Sequence, residues 1–152
     1  MAAILIISVV GNRSKDTAVY ETTAIGKLRV CHLETPMGLD EKAPVFSWQM
    51  TSKERGCCQT AYRLTVAKSK EQLESGQFYW DSGEVSEDKS VGIVYGGVAL
   101  EPKTRYFWQV QVTDQDGKRH DSQITWFETG LMGEGMPDAK WISAKEPVYE
   151  TE

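Results

Sequence analysis

From Arg105 to Val112 apolar and polar side chains alternate: Tyr106, Trp108, Val110 and Val112 fall on one side, Arg105, Phe107, Gln109 and Gln111 on the other. Successive side chains of a strand point to opposite faces, so a period of two predicts a strand with one face buried. Pro102 stands four residues before Tyr106. That spacing matches a corner in which a tyrosine hydroxyl bonds back to upstream backbone, a device of β-sandwiches.

The rest of the pattern supports the same architecture. Residues 45–50 place Phe46, Trp48 and Met50 on one face, with Trp48 as a core anchor, and residues 61–68 place Tyr62, Leu64 and Val66 together with Arg63, Thr65 and Lys68 largely outside. Residues 28–34 alternate imperfectly and stop at Pro36, which reads as an edge strand. Shorter strands are expected over 79–85, 90–95 and 124–129, with Asp114-Gln115-Asp116-Gly117 as hairpin chemistry and 55–60 as a polar turn. Ser69-Lys70-Glu71-Gln72 has the spacing of a reciprocal helix cap, and Gly76 ends a helix of about two turns. About seven short strands with turn signals between them predict an all-β sandwich.

The ends of the chain read differently. Residues 2–10 are nearly all apolar: too short for a membrane span, they match either the apolar core of a clipped secretory signal or a β-branched strand over 4–10. The signal is the first reading, with the strand left open, and a signal would place the protein outside the cell or in a periplasm. Beyond Gly130, the stretch with Gly133, Gly135 and Pro137 loosens the chain before Trp141-Ile142 restarts an apolar pattern. Residues 1–26 are therefore assigned to a tail, 27–131 to the sandwich and 132–152 to a linker with the start of a further domain.

Composition narrows the function. The 152 residues are 40% hydrophobic and 26% charged, enough for one domain with its own core, and the net charge of −5 argues against a nucleic-acid or anionic-membrane partner. Cys31, Cys57 and Cys58 are too few for a disulfide framework or a four-cysteine zinc site, and the odd count leaves a free thiol. His32 and His120 lack metal or triad spacing, and neither a serine-hydrolase elbow nor a phosphate-binding glycine loop occurs. No cofactor is expected. The acidic residues sit mainly in turns and on polar faces, so a catalytic carboxyl pair is not expected either.

Leu100-x-Pro102-x-Thr104-x-Tyr106, with Trp48 upstream, resembles the fibronectin type III form of the immunoglobulin-like sandwich. A narrower resemblance lies in Leu28-Arg29-Val30, Glu34-x-Pro36-x-Gly38-Leu39-Asp40, Pro44-x-Phe46-Ser47-Trp48, Gln59-Thr60-Ala61-Tyr62, Trp80-Asp81-Ser82-Gly83 and Phe127-Glu128-Thr129-Gly130-Leu131. In that order they are similar to the non-catalytic amino-terminal sandwich of bacterial α-L-rhamnosidases, which are multi-domain glycoside hydrolases. The resemblance implies inverting chemistry in the parent enzyme, carried by glutamates of a later domain. Inversion needs two carboxyl groups about 6.5–9.5 Å apart in a cleft. For this chain it implies an accessory role, with other domains of the same polypeptide as partners. Two alternatives stay open: a module for rhamnose-containing glycans, and a stand-alone protein-interaction module. Tyr79, Trp80, Phe107 and Trp126 are the candidate interdomain or sugar-contact residues. Trp48, Tyr62, Tyr106 and Trp108 are the candidate structural core.

Overall fold

The computed structural model describes residues 23–133 and 135. The apolar run 2–10, Trp141-Ile142 and most of the proposed linker lie outside them. Among the described residues the chain forms β1 (Thr23–Val30), β2 (Val45–Ser52), β3 (Gln59–Ala67), α1 (Lys70–Ser75), β4 (Trp80–Asp81), β5 (Val91–Val94), β6 (Arg105–Asp114), β7 (Arg119–Asp121) and β8 (Thr125–Glu128). Two antiparallel sheets result. One has the order β1-β2-β5; the other runs β4-β3-β6-β7, with β8 also paired to β6.

The long alternating strand is the centre of the larger sheet. Along β6 the side chains at 106, 108, 110 and 112 are buried, and they meet Phe46 and Trp48 of β2 and Tyr62, Leu64 and Val66 of β3 in one core. Aromatic rings join the two sheets. Phe46 lies edge-on to Trp108 at 4.9 Å and to Phe127 at 6.0 Å, and Trp48 meets Tyr62 at 5.2 Å.

Four local readings of the sequence change. The strand expected over 28–34 is β1, which begins at Thr23 inside the stretch assigned to the tail and ends at Val30. A register shift interrupts it between Gly26 and Arg29, and Cys31 and His32 take positive φ to turn Leu33 back onto Val30 through two backbone bonds. It is an edge strand, as the sequence indicated. Secondly, there is an eighth strand, β7, which carries Arg119, His120 and Asp121 and no apolar residue for a periodicity to reveal. With β8 it follows a single edge of β6; at the break the Ser122 hydroxyl accepts the Val110 N–H at 3.1 Å, replacing a ladder bond.

Thirdly, Gln59 and Thr60 belong to β3 rather than to a turn, and Gln59 is buried. Fourthly, Thr65, expected outside, is buried, because β3 packs against α1, whose Leu73 is also buried. The helix begins at Ser69, whose hydroxyl accepts the Gln72 N–H at 3.2 Å. The reciprocal arm reaches one residue further back than the capping-box spacing implies: Gln72 Oε1 accepts from the Lys68 N–H at 3.1 Å. Gly76 closes the helix in the left-handed region at φ 76°.

The tyrosine corner is present: Tyr106 Oη accepts the Glu101 N–H at 2.8 Å. Burial pushes the Tyr106 phenol well above its ordinary value of 10, and burial likewise pushes Tyr95 up to about 12. A phenol whose folded pKa is raised stabilises the fold fully below about pH 10, and that contribution is lost as pH rises through the folded pKa. Stability should therefore fall steeply above pH 10, by on the order of 1–2 kcal/mol from Tyr95 by pH 12 after allowance for solvent screening. Tyr106→Phe should cost about 0.5–1.5 kcal/mol at neutral pH and flatten the alkaline slope. Urea titrations from pH 7 to 12 measure both, and an unchanged slope in Tyr106→Phe would show that this phenol titrates alike in the folded and unfolded chain.

Candidate interface surfaces

The outer face of β6 and β8 gathers two of the four aromatic side chains singled out above. Antiparallel pairing sets Arg105 opposite Glu128 and Phe107 opposite Trp126. Arg105 Nε and Nη2 both donate to Glu128 Oε2, at 3.1 and 2.9 Å, and the Arg105 guanidinium lies 4.1 Å from the Trp126 ring centroid. One arginine thus holds the carboxylate and the indole in place. Phe107 and Trp126 are both half-buried, and Lys70 of α1 reaches to 5.9 Å from the Phe107 ring. Phe127, the neighbour of Trp126, points the other way into the core.

Tyr79 and Trp80 lie elsewhere, where they complete the side of the sandwich. Trp80, on β4, packs against Tyr95 at 4.8 Å and Phe46 at 6.3 Å. The Tyr79 ring lies 5.2 Å from Tyr106, and its hydroxyl donates to the Ala99 carbonyl at 2.8 Å. The structure therefore sorts the four candidates into two pairs rather than one patch. The four core candidates are all buried: Trp48 and Tyr62 pair across the sheets, and Tyr106 and Trp108 line the inner face of β6.

Asp81 and Asp114 are engaged in pairs that hold the fold. Asp81 takes a two-pronged bond from Arg63, at 2.9 and 2.5 Å, and that bond holds its pKa below the usual carboxylate range. Asp114 ends β6. One of its oxygens accepts the N–H groups of Asp116 and Lys118, each at 2.9 Å, and the other bonds His120 Nε2 at 2.8 Å. The bond from His120 is the main cause that lowers the Asp114 pKa, with the two amides adding to it. A lowered folded pKa means that stability is present above the unfolded value near 4 and is lost as pH falls through the folded one. His120 is buried, and no apolar pattern pointed to it. The available signal was a histidine just past an Asp-x-x-Gly turn that opens with an acid. Among the described residues no cluster of three or more His, Cys, Asp or Glu is placed to hold a metal, and no helix is long and apolar enough to cross a membrane. The three cysteines are free thiols.

A family model described as the Rha78A-like, N-terminal immunoglobulin domain matches residues 25–133. The chain belongs to that family. An α-L-rhamnosidase of Streptomyces avermitilis is 47% identical over 78% of this chain, and one of Formosa agariphila is 36% identical over 72%. This N-terminal immunoglobulin domain spans only 12% of the length of each. The solved structure of the Streptomyces avermitilis α-L-rhamnosidase complexed with L-rhamnose superposes with a TM-score of 0.76 at 44% identity, covering 81% of this chain and 12% of that one. The α-L-rhamnosidase from Dictyoglumus thermophilum gives 0.74 at 38% identity, covering 81% and 14%. The match begins inside β1 and ends where β8 hands the chain on, so both aromatic pairs lie within it.

Proposed function

We propose that this domain is a non-catalytic accessory part of an α-L-rhamnosidase, an inverting glycoside hydrolase of terminal α-L-rhamnosyl residues, and that it packs against and positions other domains of that polypeptide. The observation that carries the reading is the small share of each relative that the chain spans. Catalysis belongs to the remainder. The half-buried pair Phe107 and Trp126 supports the positioning role, because large aromatic side chains left outside a core mark contact surfaces. Positioning is favoured over sugar stacking at Trp126, since the Arg105 guanidinium already lies over that ring.

Phe107→Ser tests the reading. In the isolated chain it should cost about 1 kcal/mol, the worth of a cross-strand aromatic pair. In the full polypeptide the loss should be at least twice that and should be accompanied by lower thermal stability of rhamnosidase activity. Equal losses in the two settings, measured by urea unfolding, would mean that no other domain covers this face.

A further inference from the structure

Residues 96–100 form part of the connection between β5 and β6. Two tyrosine hydroxyls hold this loop by its carbonyls: Tyr95 donates to Val98 O at 2.9 Å and Tyr79 to Ala99 O at 2.8 Å. Among the described residues, no amide from Gly96 to Leu100 donates a hydrogen bond. The loop lies tight on the core. A Cβ at Gly97 would come within 2.8 Å of Trp80 Cβ and would collide with the Tyr95 hydroxyl, so this position has room only for glycine. Val98, at the loop's apex, is 62% exposed.

Two depressions are lined in part by the loop. The larger, open and about 620 Å³, is lined by Tyr79, Trp80, Gly97 and Val98 among others. The smaller, about 300 Å³, is formed by Lys42, Ala99, Leu100, Pro102 and Met132. Met132 fixes the direction in which the chain leaves the domain. Its N–H donates to Asp40 Oδ1 at 2.7 Å, and just before it Gly130 is bound on both sides, by Lys103 N–H at 2.8 Å and to Leu39 O at 2.9 Å. The outgoing backbone is thus delivered to the rim of an apolar surface whose loop amides lack partners. The sequence that follows offers the apolar pair Trp141-Ile142, nine residues beyond Met132 at the first of the two. Extended chain of that length reaches about 30 Å, ample to return to the loop.

We propose that loop 96–100 and the two depressions it lines form the docking surface for the part of the same polypeptide that follows Gly135, entered through Trp141-Ile142. The occupant is apolar and supplies backbone acceptors to the free loop amides. This inference rests on the positioning role proposed above, and it names a second contact surface away from Phe107 and Trp126.

Amide hydrogen exchange over 96–100 reads it directly, in a chain ended at Gly135, which keeps the whole described core but lacks the occupant, and in the full polypeptide. Exchange should be slower by about tenfold or more in the full polypeptide, since covered and bonded amides exchange only on opening. Val98→Asp should abolish that protection while leaving the unfolding midpoint of the chain ended at Gly135 unchanged, since Val98 is exposed there. Equal exchange in the two proteins overturns the inference, as does protection that survives Val98→Asp. So does protection that rises with protein concentration, which would assign the surface to a second copy of the chain. If the loop shows no protection while Phe107→Ser still costs more in the full polypeptide, the positioning role stands and only this docking surface falls. If both effects are missing, both fall.

Discussion

Phe46→Ala should lower the unfolding free energy by about 3–5 kcal/mol, the range for deleting a fully buried aromatic ring. Phe46 sits on β2, the central strand of the smaller sheet, with no exposed surface. Its ring touches Trp108 and Phe127 of the opposite sheet and stacks on Trp80 at the side. Truncation removes the one ring that meets all three, and Val30 of the neighbouring strand, already packed in the same core, has no slack with which to fill the space. Small domains have only about 5–15 kcal/mol in total, so the variant should sit near the edge of folding at 37 °C. Phe46→Leu keeps most of the volume and should cost under about 1.5 kcal/mol. Urea unfolding monitored by tryptophan fluorescence measures both. A loss below about 1.5 kcal/mol for Phe46→Ala would show that the site collapses, against the packing described.

The sequence made the apolar half of this fold legible and left the polar half hidden, for a physical reason. Tyr106 to Val112, Phe46 to Met50 and Tyr62 to Val66 are strands with one wet face, and each carries that fact in its own period. Thr65 broke its pattern only because α1 covers it, and no local period can report a cover supplied from elsewhere in the chain. The strand β7 stayed invisible because His120 is buried by pairing with Asp114 rather than by being apolar. The candidate surface was half legible in the same way. Alternation put Phe107 opposite the core face, but it took the β6–β8 register to set it against Trp126, and ring packing to draw Tyr79 and Trp80 away to a different side. Loop 96–100 had no signal of its own beyond its two glycines, since what holds it are hydroxyls from residues 79 and 95.

Gln59 is where the hidden polar half should show its largest effect. Its side chain accepts the Trp48 indole N–H at 2.9 Å and donates to the carbonyls of Lys89 and Glu87 at 2.7 and 3.2 Å, tying both sheets to the segment that leads into β5. Gln59→Ala removes all three bonds and strands the indole N–H of a residue that is 1% exposed. Leaving a buried donor unpaired costs about 1–3 kcal/mol, and the lost bonds add to it, so a total of about 2–4 kcal/mol is expected. Gln59→Glu separates the two halves of the role. A carboxylate still accepts from Trp48 but faces two carbonyl oxygens to which it cannot donate, so the protonated acid is the form that the folded site favours. Its folded pKa should rise above the ordinary value near 4.3. The added stability of the protonated form is then present below that value and is lost as pH climbs through the folded pKa. The gap between Gln59→Glu and the parent chain should therefore be small near pH 4 and should widen toward pH 7, whereas the deficit of Gln59→Ala should not depend on pH over that range. Chemical unfolding at pH 4, 5.5 and 7 gives the comparison. A pH-independent deficit for Gln59→Glu would mean that the carboxylate reaches water and that the Glu87 and Lys89 carbonyls are not held by this side chain.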